Sequence, residues 1–96
     1  MRARLNAKGA IAAPGAAEIL GRNLTLARAE RLELDITGFA GSGDAVCVCA
    51  PGEGLTVEDR GQDSGVWTLD FEGAGAAPLT IRALSGREWS GRVVVR

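Results

Sequence analysis

The residues that could do chemistry are few, and the two cysteines come first. Cys47 and Cys49 stand two positions apart in the run Ala-Val-Cys-Val-Cys-Ala. On a strand, such residues share a face with Cα atoms about 6.5–7 Å apart, which is the upper limit for an unstrained disulfide. We therefore expect free thiols, which fit a reducing compartment, and interpret both as small buried apolar residues. The alternative is a two-thiolate half-site for a metal shared with another chain, although structural zinc takes four ligands.

Paired acids are the second set of candidates, at Glu58-Asp59 and at Asp70 and Glu72. Carboxylates on one face can transfer protons or bind calcium. These acids fall in turns or at outward strand positions, so we interpret them as solvated surface groups. The chain contains no histidine, which excludes Ser-His-Asp and Cys-His catalysis and imidazole metal ligands. The sequence therefore predicts no enzymatic activity, no cofactor and no metal.

A glycine-rich segment, Gly38–Asp44, is the third candidate. No Gly-Lys-Ser/Thr follows it, so it does not match a phosphate-binding loop. We predict a flexible turn here. Its aromatic residue, Phe39, is either a lid on the core or a contact residue for a partner.

Charge is distributed unevenly along a chain of 96 residues whose net charge is −1. The first eight residues carry three basic side chains, Arg2, Arg4 and Lys8, and no acid. Three charges give only a weak, salt-sensitive contact with nucleic acid, and aromatic stacking platforms are few, so nucleic-acid binding is disfavoured. No apolar run approaches the roughly 20 residues of a membrane span. The N-terminus lacks the apolar segment of a secretory signal, so we expect synthesis in the cytoplasm.

Short apolar runs recur about every 8–12 residues from Glu18 onward, which is typical of a β-sandwich or barrel. We expect residues 1–17 to form a flexible N-terminal arm, because this Ala/Gly-rich segment has few bulky side chains to offset its ordering entropy. We expect residues 18–96 to form one domain, with a polar turn at Asp59–Ser64 and a loop at Gly73–Ala77. The seven predicted strands are Glu18–Leu26, Arg31–Thr37, Ala45–Ala50, Leu55–Glu58, Gly65–Glu72, Leu79–Ala83 and Trp89–Arg96.

Two of these strands resemble the E–F corner of immunoglobulin-like domains. The segment Leu55-Thr-Val57 is followed by Asp63-Ser-Gly-Val-Trp67-Thr-Leu69, which is similar to the L-x-V and D-x-G-x-[aromatic]-x-[core] pattern of that corner. Trp67 stands where the corner tyrosine usually lies. Leu69 stands where antibody-type domains have their second cysteine, so the resemblance implies a fold without the disulfide.

The C-terminal third is similar to the filamin-type variant of this fold. Gly65-Val-Trp-Thr-Leu-Asp-Phe71 is followed by Leu79-Thr-Ile-Arg-Ala83 and by Gly86–Val95, in the order of that variant. The resemblance covers about residues 19–96. It implies an all-β, seven-stranded, antiparallel immunoglobulin-like β-sandwich.

Strand Ala45–Ala50 is apolar on both faces, which a small two-sheet sandwich does not need. Either Val46 and Val48 or the two cysteines must face outward, to be covered by the arm or by a partner chain. We therefore predict a non-enzymatic structural or interaction protein, an accessory or decoration-type subunit of an assembly such as a phage virion, which engages its neighbours through the N-terminal arm and sheet edges. The alternative is an adhesion module for carbohydrate or a surface protein. The candidate partner-binding residues are Arg2, Arg4, Lys8, Phe39, Val46, Val48 and Arg92.

Overall fold

The computed structural model describes residues 1–12, 22–40 and 45–96. Within these ranges the chain forms nine strands and one helical turn, α1 (Thr37–Ala40). The strands are β1 (Arg2–Leu5), β2 (Ile11–Ala12), β3 (Asn23–Leu26), β4 (Leu32–Asp35), β5 (Ala45–Cys49), β6 (Leu55–Asp63), β7 (Val66–Gly73), β8 (Gly75–Ala83) and β9 (Glu88–Val95).

The strands form two sheets, with the orders β2-β1-β4-β7-β6 and β3-β9-β8-β5. The predicted all-β class is confirmed. The prediction of purely antiparallel sheets is wrong, because β1 runs parallel to β4 and β3 runs parallel to β9. The described residues also hold nine strands where seven were predicted, and the additional two are β1 and β2.

One apolar core lies between the two sheets. Alternation in β4 turns Leu32 and Leu34 inward, and both are fully buried, while Glu33 and Asp35 remain partly exposed. Each fully buried leucine contributes roughly 1.5–3 kcal/mol relative to an exposed one. No polar or charged side chain is buried among the described residues, so apolar packing dominates the stability. The largest fully buried side chains are Leu5, Leu24, Leu26, Leu32, Leu34, Ile36, Leu55, Leu69, Leu79, Ile81 and Val93.

The first twelve residues differ from the predicted flexible arm. β1 pairs with β4, and its Ala3 and Leu5 are 2% and 0% exposed, while Ile11 in β2 is 2% exposed. The composition argument failed because a short segment that joins an existing sheet gains backbone hydrogen bonds and core contacts together. Alternation of Arg2 and Arg4 with two apolar residues is the local pattern that permits this.

Two C-terminal side chains hold the β1–β2 turn in place. The indole Nε1 of Trp89 donates a hydrogen bond to the carbonyl oxygen of Gly9 at 3.1 Å. The Arg87 guanidinium donates to the carbonyl oxygens of Ala7 and Phe39, the latter at 3.2 Å. These contacts join the two ends of the chain, so the N-terminal strands belong to the folded domain.

The segment that resembles an E–F corner is a hairpin within one sheet. β6 and β7 are adjacent antiparallel strands, whereas an E–F corner connects the two sheets of the sandwich. The predicted polar turn at Asp59–Ser64 is mostly strand, and only the last residue of that turn is in the connection. Ser64 and Gly65 have φ values of 53° and 82°, as a two-residue hairpin turn with two left-handed residues requires.

Other predicted boundaries shift in smaller ways. β8 begins at Gly75, so most of the predicted Gly73–Ala77 loop belongs to a strand. The predicted flexible turn begins with the helical turn α1, whose amide groups at Phe39 and Ala40 bond to the carbonyl oxygen of Ile36. Three predicted segments lie outside the described residues: 13–17 of the arm, 18–21 of the first strand and 41–44 of the turn.

Candidate interaction surface

β5 is an edge strand of the second sheet and pairs with β8. Its side chains alternate: Cys47 faces the core and is 2% exposed, while Val46 and Val48 face outward and are 58% and 56% exposed. The open sequence question about this strand is therefore settled, since the valines and not the cysteines lie on the outer face. Among the described residues, only Leu84 shows comparable exposure of a large apolar side chain.

Leu84 extends the same apolar region. It follows Ala83, the last residue of β8, which pairs with Ala45 at the start of β5, and it is 84% exposed. Val46 and Val48 therefore lie on the edge strand itself, and Leu84 lies just past the end of the neighbouring strand of the same sheet. We call Val46, Val48 and Leu84 the β5 patch.

The backbone of β5 leaves a defined set of polar groups on its open side. The amide of Ala50 donates to the carbonyl oxygen of Pro78 at 3.1 Å, and this pair continues the register in which Cys49 lies opposite Leu79. In an antiparallel ladder, successive residues direct their N–H and C=O groups alternately to one neighbour and the other. The even-numbered residues of β5 therefore direct their backbone N–H and C=O groups to β8. Ala45, Cys47 and Cys49 direct their N–H and C=O groups to the open side.

The other sheet edges of the described structure carry polar or charged side chains. β6 includes Glu58, Asp59 and Arg60 and contains a register shift, and charges and bulges are features that block edge-to-edge pairing. β3 presents Asn23 and Thr25 outward. β2 has only two residues. β5 carries no charge between its first and last residue, so it lacks these protective features.

Polar groups border the β5 patch without covering it. Arg82 lies opposite Val46 on β8, and its Nε is 2.8 Å from a carboxylate oxygen of Glu88 on β9. Thr80 lies opposite Val48. Arg82 is therefore already paired with Glu88, and the patch is an apolar area with polar side chains beside it, as interface centres commonly are.

The structure separates the candidate residues predicted from sequence. Arg92 is exposed on the outer face of β9, in the same sheet as Val46 and Val48. Arg2 and Arg4 are exposed on β1, in the other sheet, and Lys8 is exposed in the β1–β2 turn. The structure thus places Val46, Val48 and Arg92 on one face and the N-terminal basic residues elsewhere.

Phe39, a candidate contact residue, is buried in the described structure. It is 6% exposed, and the Arg87 guanidinium lies over its ring at 4.3 Å from the ring centre. The first interpretation of this residue, a lid on the core, agrees with this position. The reason is that α1 turns the ring inward, where it joins the core instead of facing solvent.

The two thiols are free, and neither is arranged for reaction. Burial, with a smaller contribution from the Asp59 carboxylate, raises the pKa of Cys47 to about 12 and that of Cys49 to about 11. Thiolate is the reactive and metal-binding form, so these thiols are poor nucleophiles at neutral pH. No group of three or more His, Cys, Asp or Glu side chains in the described ranges could hold a metal ion.

Two of the four paired acids, Glu58 and Asp70, lie in surface ion pairs. Arg31 donates two hydrogen bonds to the carboxylate of Asp70, at 2.8 and 3.0 Å, and Arg60 donates a third. These guanidinium groups lower the pKa of Asp70 to about 2. A depression of about 180 Å³ lies beside Asp70, Glu58 and Glu72 on the same surface. Acids held in ion pairs at an open surface match the interpretation as solvated surface groups.

Sequence reasoning missed Leu84 and the contact between Asp59 and Trp67. Leu84 continues the outward phase of β8 at the point where the Ser85-Gly86 turn begins, so the alternation contained the signal. The Trp67 indole Nε1 donates to a carboxylate oxygen of Asp59 at 2.6 Å. That contact depends on the hairpin register, and no local pattern indicates it.

In comparisons with known proteins, no family model, no curated protein and no solved structure matches this chain. The part of the chain that the structure describes includes no helix long and apolar enough to cross a membrane. The interaction surface is therefore interpreted from its own geometry.

Proposed function

We propose that this chain is a non-enzymatic structural subunit that joins a larger assembly through the open edge of β5. One observation carries the proposal: of the three exposed large hydrophobic residues of the described chain, two lie on the edge strand that lacks charge, and the third follows the neighbouring strand β8. An apolar, uncharged edge strand is a template for another strand, and natural proteins normally protect such edges. A partner that covers this edge explains why β5 lacks protection.

The mechanism of binding is strand addition. A partner strand would accept and donate backbone hydrogen bonds at Ala45, Cys47 and Cys49 and would cover Val46 and Val48 from the side. Covering each valine, which is more than half exposed, would stabilise the complex by about 1 kcal/mol. The backbone hydrogen bonds would orient the partner strand, and burial of the valines would supply part of the affinity.

The strand order supports an immunoglobulin-like sandwich. In that fold, strands B, E and D are neighbours in one sheet and C, F and G in the other. Counted from β4 as B, the neighbours β4-β7-β6 and β9-β8-β5 have the same order. The filamin-type resemblance of the last three strands also agrees, since β8 and β9 lie in the sheet opposite β7. The parallel β1–β4 pair is an addition to that plan.

Our preferred setting is a virion or similar particle, in which the chain is an accessory or decoration-type subunit. A small sandwich with one adhesive edge suits a contact repeated many times in a particle. The first twelve residues are packed in the domain, so the contact is assigned to β5 and not to an arm. The adhesion alternative is weaker, because an adhesion site needs exposed aromatic side chains, and Phe39 and Trp89 are only 6% and 2% exposed.

The experiment compares two charge variants in their source cells. Val46→Lys/Val48→Lys places two charges on the β5 edge, and Asn23→Lys/Thr25→Lys places two charges at matched alternate positions on the opposite edge of the same sheet. We expect wild type and the β3 variant to co-sediment with the same particle. We expect the β5 variant, once circular dichroism shows that it is folded, to be released from that particle. Undiminished co-sedimentation of the folded β5 variant would rule out this edge as the contact.

A further inference from the structure

We propose that the strand covering β5 is β5 of a second copy of this chain, paired antiparallel about a two-fold axis at Cys47. This inference rests on the proposed function, because it names the occupant of the same edge. The two second sheets would then form one continuous eight-stranded sheet with the central order β8-β5-β5-β8.

The backbone of β5 permits this pairing in detail. Ala45, Cys47 and Cys49 direct their N–H and C=O groups to the open side, so these residues must form the hydrogen-bonded pairs of any added strand. With the axis at Cys47, that residue lies opposite Cys47 of the second copy, and Ala45 lies opposite Cys49. Each of these three pairs exchanges two hydrogen bonds, so all the open backbone groups of the strand are satisfied.

The side chains favour a second copy over an unrelated strand. The residues around Cys47 are symmetric in type, with Val46 before it and Val48 after it. In the proposed register Val46 lies opposite Val48 of the second copy, so each outward valine meets another valine. β5 contains no charge and no hydroxyl group that would select a partner of different chemistry. The strand is therefore complementary to itself.

Charges beside the junction are compatible with this arrangement. Across the new sheet, one row would contain Glu88, Arg82 and Val46, followed by Val48, Thr80 and Ser90 of the second copy. Arg82 already pairs with Glu88 at 2.8 Å and would meet no arginine across the axis. Like charges directly opposite one another destabilise paired strands, and this register places none at the contact.

Shifting the axis by one residue gives less complete pairing. An axis at Val48 would place Ala45 opposite Pro51, which has no amide hydrogen to donate. An axis at Val46 would leave Val48 and Cys49 without partners inside β5, because the strand begins at Ala45. Only the axis at Cys47 pairs all five residues of β5 with one another.

Cysteine crosslinking of the purified chain tests the register. In a Cys47→Ala/Cys49→Ala background, Val46→Cys and Val48→Cys proteins of different mass are mixed under mild oxidation. The proposed register makes these positions a pair that is not hydrogen-bonded, with Cα atoms about 4.5 Å apart, a separation that a disulfide accepts. We expect the mixed disulfide to predominate. Predominant self-crosslinking of the Val48→Cys protein or of the Val46→Cys protein would overturn the register in favour of the axis at that residue.

Sedimentation equilibrium of the unmodified chain tests the second copy independently of the cysteine variants. We expect wild type and Asn23→Lys/Thr25→Lys to dimerise, and Val46→Lys/Val48→Lys to raise the dissociation constant at least about a hundredfold, because lysines replace four apolar side chains at the junction. A wild type that remains monomeric at about 100 µM refutes the second copy. If the lysine variant is nevertheless released from the particle, the proposed function stands with a different partner strand; if it is not released, both proposals fail.

Discussion

The N-terminal strand offers the clearest test of the fold, through the substitution Leu5→Ala. Leu5 is fully buried in β1, although its segment has the composition of a mobile arm. If the segment is part of the core, replacing the Leu5 side chain with that of alanine must destabilise the whole domain. If it is an arm, truncation must leave the free energy of unfolding unchanged.

The expected loss follows from the burial of this side chain. Leu→Ala changes at buried sites cost about 2–5 kcal/mol, and the lower part of that range suits a strand next to the sheet edge, where the surroundings can relax. We expect about 2–3 kcal/mol. A domain of 96 residues has a total free energy of unfolding of about 5–14 kcal/mol, so this loss is a large fraction.

Urea denaturation followed by tryptophan fluorescence measures the effect. With a slope of about 1–1.5 kcal/mol per molar urea, the midpoint should fall by about 2 M. Arg4→Ala is the matched control on the same strand, because its side chain is 71% exposed and its ion pair with Asp35 is 3.8 Å long. That variant should change stability by less than about 1 kcal/mol. A midpoint for Leu5→Ala within about 0.3 M of wild type, which at that slope is less than about 0.5 kcal/mol, would refute the reasoning.

Three further predictions concern the thiols, an ion pair and a turn. Alkylation near pH 8 should be slow for both thiols and slower for Cys47 than for Cys49, because burial raises their pKa values to about 12 and about 11; reaction at the rate of the urea-unfolded chain would contradict this. Folding lowers the pKa of Asp70 from 3.8 to about 2, so its ion pairs stabilise the folded state fully above pH 3.8. That stabilisation is lost as the pH falls through about 2. Asp70→Asn should therefore flatten acid unfolding in that window, and parallel curves would contradict the ion pair. Gly52→Ala should lower the free energy of unfolding by about 1–3 kcal/mol, measured by thermal unfolding, because a Cβ at this position overlaps the carbonyl oxygen of Ala76. An unchanged melting temperature would contradict the close packing of Gly52 against Ala76.

Alternation in the sequence predicted several strands correctly because it is a local property. The inward positions of Leu32 and Leu34 in β4 follow from a two-residue period, as does the outward position of Arg92 in β9. The same rule showed that Ala45–Cys49 is apolar on both faces. It could not show which face is outward, because a strand with apolar residues at every position has no preferred phase.

The N-terminal segment shows the opposite case. Ala3 and Leu5 offer little apolar area by themselves, and composition alone favours an arm. Their burial depends on β4, with which β1 pairs, and on Trp89 and Arg87, whose side chains hold the following turn from the far end of the chain. A contact across eighty residues leaves no local pattern, so sequence reasoning could not find it.

The sequence by itself determined that this chain is an all-β protein, because residue alternation on a pleated strand sets which side chains can share a core. Only the tertiary structure decided where an open apolar edge lies. Ala45 lies opposite Ala83 in the sheet, and that distant pairing leaves β5 at an edge with Val46 and Val48 outward. An edge is a property of the whole sheet, since it depends on which strands lie beside one another and not on the residues of any single strand.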